Sequence, residues 1–384
     1  MKKRELLTIS ELVRICEEEV KDPRRSSGNL RHKLVDILVI ALLGVICGCE
    51  EWIEIEDYGI AKEEWLRQYL ELPNGVPSND TYRRVFERIE PAQLEAAYRK
   101  WVLPYVGGCY NKQIAIDGKT ICGASNQREE GKLHIVSAWV KEDKITLGQL
   151  KTSEKSNEIT TIPELLDMLD VKGAAITIDA MGCQTAIAEK IISKEAQYVL
   201  AVKQNQGNLY EAMVEYFQWA QDEPSERAQL SRYVYEEHEH GRHCKRIVEV
   251  TNDTGWYTSK KEWKQLTSMI RVIRKSERDG VPSVEHAYYI SSAAWDANRF
   301  AQLIQGHWSI ENSLHWSLDV TYHEDDSQIH TGHAPENLSL VRKIAKFLLQ
   351  AENSFKGSAN RKSKRASYMN DYAAKVIGLD KSLK

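Results

Sequence analysis

Three acidic side chains carry the chemistry that residue type and spacing suggest first. Asp117 ends the apolar run Gln113-Ile114-Ala115-Ile116, and Asp179 ends Ala174-Ala175-Ile176-Thr177-Ile178. Glu311 sits in a helical pattern. Winding Leu303 to Val320 at 3.6 residues per turn gathers Leu303, Ile304, Ile310, Leu314 and Leu318 on one face, with Glu311 in the arc. His307 falls a turn before it and His315 a turn after. A carboxylate on a core-facing stripe is costly unless it is paired, protonated or bound to a metal. A salt bridge would satisfy Glu311 as well, and a strand-ending aspartate often serves only as a turn or cap. If the three groups share a pocket, their charges need compensation. Oxygen-only donors suit Mg²⁺ or Mn²⁺ rather than zinc. Two such ions about 3.5–4 Å apart activate a water or hydroxyl and stabilise the leaving oxygen in phosphodiester cleavage.

The chain must then supply elements that bring these groups together. Its 384 residues allow two or three domains with a sizeable core. A formal charge of −4 excludes a uniformly basic polyanion binder, so nucleic acid would have to be met through local patches. Seven irregularly spaced cysteines predict free thiols in a reducing cytoplasm. The N-terminal residues lack the apolar core of a leader peptide. The longest apolar stretch, Leu34 to Gly48, contains Asp36 and is too short to span a bilayer comfortably, so it reads as a buried helix. A soluble, cytoplasmic protein is expected.

Residues 1–107 read as helical. Thr8 or Ser10 caps a first helix that stops before Asp22-Pro23, and Ser78-Asn79-Asp80-Thr81 caps a helix carrying Arg83, Arg84 and Arg88. A tight turn followed by an arginine-bearing helix fits a DNA-binding helix-turn-helix and fits an ordinary helical pair equally. From Gln113 the period changes: strands at 113–117, 134–140 and 145–150, a helix opened by Ser156-Asn157-Glu158, a strand to Asp179, a helix from Gln184 and a strand from Tyr198. Strands followed by strand–helix alternation predict a mixed sheet covered by helices. Residues 206–291 read as an inserted subdomain. Residues 342–365 are strongly basic, and their second half reads as a flexible tail offering the best electrostatic footprint for phosphates.

Specific blocks go further. IAIDGKT at Ile114–Thr120, KSNEI at Lys155–Ile159, TIDAMGCQ at Thr177–Gln184, AVKQNQ at Ala201–Gln206 and HWSIENSLHWSLDV at His307–Val320 stand in order along the chain. In these blocks the sequence resembles the H-repeat-associated, ISAs-one-type insertion-sequence transposases, from about Asp22 to Leu349. The resemblance implies an α/β fold: an RNase H-like mixed sheet flanked by helices as the DDE catalytic core (108–205 and 292–350). A helical N-terminal associated domain (1–107), an insertion subdomain (206–291) before the catalytic glutamate and a basic C-terminal tail (351–384) complete it. By motif match Asp117, Asp179 and Glu311 would be the catalytic and metal-binding carboxylates, with Mg²⁺ or Mn²⁺, two ions, as cofactor. The implied partners are double-stranded DNA, at element ends and target, and a second copy in a homodimer on DNA, with no membrane and a nucleoid-associated place in the cytoplasm.

Looser assignments surround this set. Lys119, Lys203, Asn205 and Gln206 flank the strands and could contact phosphates, as could Arg242, Arg83 and Arg84. His307, Asn312 and His315 could support Glu311 or touch DNA. Solvated strand ends explain the lysines equally, and Trp308 and Trp316 read as helix packing. Cys122, Cys244, Gln305 and Gln328 stand where the family pattern has cationic or otherwise different residues. Fewer cations predict weaker phosphate contacts. The alternative function is therefore a catalytically impaired or repurposed DNA-binding protein derived from a transposase.

Overall fold

The computed structural model describes residues 8–24, 30–123, 133–152, 158–222, 229–239, 242–278 and 281–379. Lys155, Ser156, Asn157 and Gly241, singled out in the sequence, lie outside them, as does part of the basic turn between Asp22 and Lys33. The first elements are helices. The Thr8 side chain accepts from the Glu11 N–H and caps α1 (Ile9–Glu19), which stops short of Asp22-Pro23. α2 (Leu34–Ile46) is apolar almost all round and buried almost all round, so it must be packed from every side. α1, α3 (Trp52–Ala61) and a late helix (Ala334–Ala351) cover it. A short α4 (Glu63–Leu66) and α5 (Asn79–Phe86) follow. Pro91 opens α6 (Pro91–Val106) and Gly107, at φ 62°, closes it in the left-handed region that glycine reaches most easily.

The remaining chain builds one mixed sheet of nine strands in the order β3-β2-β1-β4-β5-β9-β8-β7-β6. β1 (Gln113–Ile121), β2 (Leu133–Val140) and β3 (Ile145–Thr152) form an antiparallel meander. β4 (Ala175–Ile178) and β5 (Gln197–Val202) run parallel to β1, reached through crossover helices α7 (Glu158–Asp167) and α8 (Thr185–Ser193). The stretch after β5 contributes α9 (Gly207–Asp222), β6 (Ser231–Glu239), β7 (Arg242–Thr251), β8 (Ser268–Arg278) and β9 (Val281–Ser291). Residues 206–291 make no separate sheet among the described residues. β9 pairs with β5, so the inserted strands extend the core sheet and cover what would be an open edge.

α10 (Ala297–His307), a π-helical turn (Ile310–His315), α11 (Trp316–Tyr322) and α12 (Ala334–Ala351) return along the sheet; α13 (Ala359–Tyr368) and α14 (Asn370–Ile377) end the described chain. They correct the reading of residues 342–365: much of the second half is helical, not a flexible tail, and half of the basic residues are not available to phosphates, although Lys356, Arg361 and Lys364 remain exposed. Arg342, Lys343 and Lys346 are buried because α12 lies between the helical region and the sheet, and Lys362 is buried where α13 packs back on α12. Their long stems reach acceptors there: Lys362 Nζ donates to the carbonyls of Leu349 and Glu352. Phe355 lies under Arg361 and Arg365, and the Tyr372 hydroxyl donates to Glu352 over 2.7 Å, which holds the two last helices in place.

Lys346 sits over the Trp139 ring at 4.4 Å, and burial pushes its ammonium down to about 8 from 10.5. A lowered folded value means that the unfolded chain binds more protons between those limits, so stability rises with pH across that window. Below pH 8 the penalty is present in full. Lys346→Met is therefore expected to raise urea-unfolding stability at pH 7 by up to about 3 kcal/mol. The difference should close above pH 10. An equal or less stable variant at pH 7 would show that the ring and Gln350, whose Oε1 accepts from Lys346 Nζ over 3.4 Å, compensate the buried charge.

Candidate active site

Ile116 pairs with Ile178 in the last rung of the parallel β1–β4 ladder, so Asp117 and Asp179 are the next residues on adjacent strands. Neighbouring strands lie about 4.8 Å apart. β1 does not end at Asp117, as its apolar run suggested, but continues against β2 to the Ile121–Leu133 rung. Asp117 therefore marks the fork at which β1 leaves β4 and stays with β2. Asp179 turns the chain: its Oδ1 accepts from the N–H groups of Met181 and Gly182 over 3.0 and 3.4 Å. It is thus a turn residue as well as a member of the cluster. Strand alternation puts Ala115, Asp117, Thr177 and Asp179 on the face covered by α10, opposite to Ile116 and Ile178.

Glu311 comes to that face from the π-helical turn. The turn shifts the phase of the helix so that Ile310, Leu314 and Leu318 take the core, and Glu311 is exposed at the rim. The straight winding had placed it inside the apolar arc. Trp308 and Trp316, read as packing residues, are 49% and 59% exposed. α10 is held on the strands by a polar bolt. Gln113 Nε2 donates to the Leu303 carbonyl (2.6 Å) and to Thr177 Oγ1 (3.2 Å), which lies 3.0 Å from His307 Nδ1.

The carboxylates act on one another electrostatically. Burial first, then the charges of Asp179 and Glu311, push Asp117 up to about 7 from 3.8. Burial and Asp179 raise Glu311. His315 Nδ1 stands 3.6 Å from Asp117 Oδ2, too far for a hydrogen bond. Burial, Lys343 and Lys119 drive that imidazole down to about 3, so it brings no positive charge. Among the described residues no lysine or arginine forms an ion pair with Asp117, Asp179 or Glu311. The three also stop short of ligand distance. No group of three or more His, Cys, Asp or Glu among the described residues is gathered tightly enough to hold an ion. An uncompensated, all-oxygen set still fits a hard divalent cation by charge and by donor type.

The other sequence candidates divide. Lys119 is fixed by Asp319 (2.7 Å), Asp325 (2.6 Å) and Glu324 (3.5 Å). Asn205 and Gln206 donate to the carbonyls of Ala180 and Cys183 over 2.6 and 2.8 Å, bracing the loop after Asp179. Lys203 is exposed and lines a cleft of about 720 Å³ that runs from Asp179 to Tyr288 and Tyr289. Asn312 is exposed beside Glu311. Arg83 and Arg84 pair with Asp80, and Arg83 also with Glu87, on their own helix, and Arg242 opens β7 opposite Glu239. Gln305 bonds Glu237, and buried Cys244 accepts from Arg274 Nε.

The structure adds residues that sequence reasoning did not single out. His134 Nε2 meets Glu158 Oε1 at 2.6 Å on the far face of the sheet, next to Gly118. Their only sequence signal was the block containing Glu158. A Cβ at Gly118 would collide with His134 Nε2 and the Glu158 carboxyl. Gly118→Ala is expected to destabilise the fold by about 1–3 kcal/mol, as overpacking does. Chemical denaturation checks this, and an unchanged midpoint would mean that the pair moves aside freely.

The model of the transposase DDE domain family matches residues 111–348, and a model described as DDE_Tnp_1-associated matches residues 17–102. "Putative transposase YncI" of Escherichia coli O157:H7 is 42% identical over 358 residues, 92% of this chain and 91% of that protein. "H repeat-associated putative transposase YhhI" of Escherichia coli (strain K12) is 40% identical over 361 residues, 92% of this chain and 94% of that protein. A solved piggyBac transposase synaptic complex with hairpin DNA aligns with 98% of this chain and 82% of that one at a TM-score of 0.42 and 11% identity.

Proposed function

Because the chain belongs to the DDE transposase family, we propose that it is a metal-dependent DNA transposase of an insertion sequence. Asp117, Asp179 and Glu311 are its catalytic carboxylates. One observation carries this reading: two acidic residues follow the last shared rung of adjacent strands, a third comes from the turn after the covering helix, the charges of Asp179 and Glu311 raise Asp117, and among the described residues no lysine or arginine forms an ion pair with the three. The strand order, an antiparallel three-strand meander beside two parallel strands, supports an RNase H-like core in residues 108–205 and 292–350. Mg²⁺ or Mn²⁺, as two bound ions, would supply Lewis acidity to the attacking and leaving oxygens.

The protein's own groups do the rest. Asp117 and Asp179 are held at fixed spacing by the ladder, and the Gln113–Thr177–His307 bolt seats the helix that carries Glu311. The cleft beside Asp179, with exposed Lys203, would admit the DNA strand. Double-stranded DNA at element ends and target is the proposed substrate, and a homodimer on DNA the working assembly, in the cytoplasm at the nucleoid. No helix among the described residues is long and apolar enough to cross a membrane.

The test is cleavage of DNA carrying the inverted repeats that flank this reading frame. Mg²⁺- or Mn²⁺-dependent nicking at the repeat ends, followed by joining of the 3′ ends to a target, is the expected result. A second reading, a DNA-binding protein without turnover, draws on Gln305, which stands where the family pattern is cationic and bonds Glu237 at the surface, and on Cys244, which interrupts an arginine-containing run of that pattern and is buried against Arg274. Binding to the repeats with no cutting in either metal would favour it.

A further inference from the structure

A second cleft, of about 710 Å³ and lined by none of the three carboxylates, lies between α9 and the turn after β7. Asn208, Ala212, Glu215 and Trp219 line one wall from successive turns of α9. At 1.5 Å per residue that wall is about 16 Å long. An extended chain covers the same length in about five residues. The rings in the cleft adjoin one another. Tyr216 and Trp256 stack at 4.5 Å with planes 4° apart, Trp219 lies 5.6 Å from Tyr216, and Tyr257 lies 6.1 Å from Trp256. Hydrogen bonds fix two of them: Trp256 Nε1 donates to the Asp253 carbonyl over 2.8 Å, and the Tyr216 hydroxyl lies 3.1 Å from Thr251 Oγ1. Trp219 is 44% exposed at this cleft.

A lone exposed tryptophan is ordinary; one at the wall of a preformed aromatic cleft has a partner to offer. Aromatic faces take either a nucleobase, which stacks, or a cation, which the ring quadrupole attracts. Charge decides between them here. Exposed Glu215 and Asp253 line the same cleft, and Lys260 and Lys261 are not among its lining residues. α9 itself carries Glu211, Glu215 and Asp222 and no lysine or arginine. A nucleic-acid strand would bring its phosphates against these carboxylates, whereas a guanidinium or ammonium gains from the rings and the charges together. We infer that this cleft docks a basic protein segment. Lysine or arginine side chains of an extended chain would lie on Trp219 and Tyr216, with Glu215 and Asp253 as their counter-charges. The length of the wall favours a chain over a single small cation. The inference does not depend on the transposase reading of Asp117, Asp179 and Glu311.

Fluorescence anisotropy of a dye-labelled pentapeptide with two arginines, titrated with the full-length protein, tests it. Saturable binding that weakens with added salt is expected, with none for the same peptide carrying two glutamates. Trp219→Leu should weaken binding about fivefold, and Glu215→Gln together with Asp253→Asn about tenfold. Binding that is unchanged in W219L and in the double variant would put the arginines elsewhere on the protein and overturn the inference. So would an absence of binding to the wild type. A labelled five-nucleotide thymidylate that binds more tightly than the peptide, and loses its affinity in W219L, would show that the cleft reads bases instead. Should W219L or the double variant not unfold cooperatively, Glu215→Lys, a charge reversal at an exposed position, is read by the same criteria.

Discussion

Asp117→Asn, Asp179→Asn and Glu311→Gln are each expected to lower metal-dependent nicking of element-end DNA by about 10³-fold or more. That figure corresponds to a loss of about 4 kcal/mol of transition-state stabilisation, the scale at which a bound metal acts on a phosphoryl oxygen. The three groups would act as one unit, so a double variant should be hardly worse than either single one. Folding need not suffer. An asparagine oxygen at 179 can still accept from Met181 and Gly182, and Glu311 is already at the rim. Asp117→Asn should even help the ion-free fold at alkaline pH. The carboxyl's folded value of about 7 stands above its ordinary 3.8, so the stability tied to its proton is complete below 3.8 and lost as pH rises through 7. The amide removes that loss. Nicking that survives any of the three substitutions would sink the catalytic assignment.

Lys343→Met is the second large effect, and here stability is the readout. Lys343 is buried on α12, donates to Ser137 Oγ over 3.0 Å and to Gln149 Oε1, and its charge faces Glu324, Glu95 and Glu336. Ser137 is the cross-strand partner of Asp117, so this ammonium supports the strand beneath the site. Burial lowers the lysine and raises Glu95, while the opposite charges draw both back. Removing the cation leaves buried carboxylates uncompensated, an expected loss of about 3–5 kcal/mol in denaturant unfolding. Adding Glu95→Gln should recover part of it. A K343M protein as stable as the wild type would mean that the network is already neutral in the folded state.

Much of this was legible before folding. Local signals place Thr8 or Ser10 at a helix start, Pro91 and Gly107 at the two ends of α6, and strands from Gln113, Ala174 and Tyr198, within a residue of where they begin. Each depends on neighbours a few residues away. The reading failed where a side chain's fate depends on distant partners. Basic residues of α12 looked like phosphate ligands because nothing nearby in sequence announces Ser137, Gln149 or Trp139. Glu311 looked buried because a uniform 3.6-residue winding hides a π-helical turn, and Trp308 and Trp316 were read as packing from residue type alone, yet both are exposed.

The sequence by itself determined that charge would terminate two apolar runs and interrupt a helical pattern, since hydrophobic periodicity is written in consecutive residues. Tertiary structure alone decided that those charges come to one face of the sheet. The parallel pairing of β1 with β4 sets Asp117 beside Asp179, and the docking of α10 through Gln113 and Thr177 delivers Glu311. Register and helix docking join residues far apart in the chain, and no local pattern encodes that free energy. The His134–Glu158 pair arises the same way, on the opposite face of the same strands.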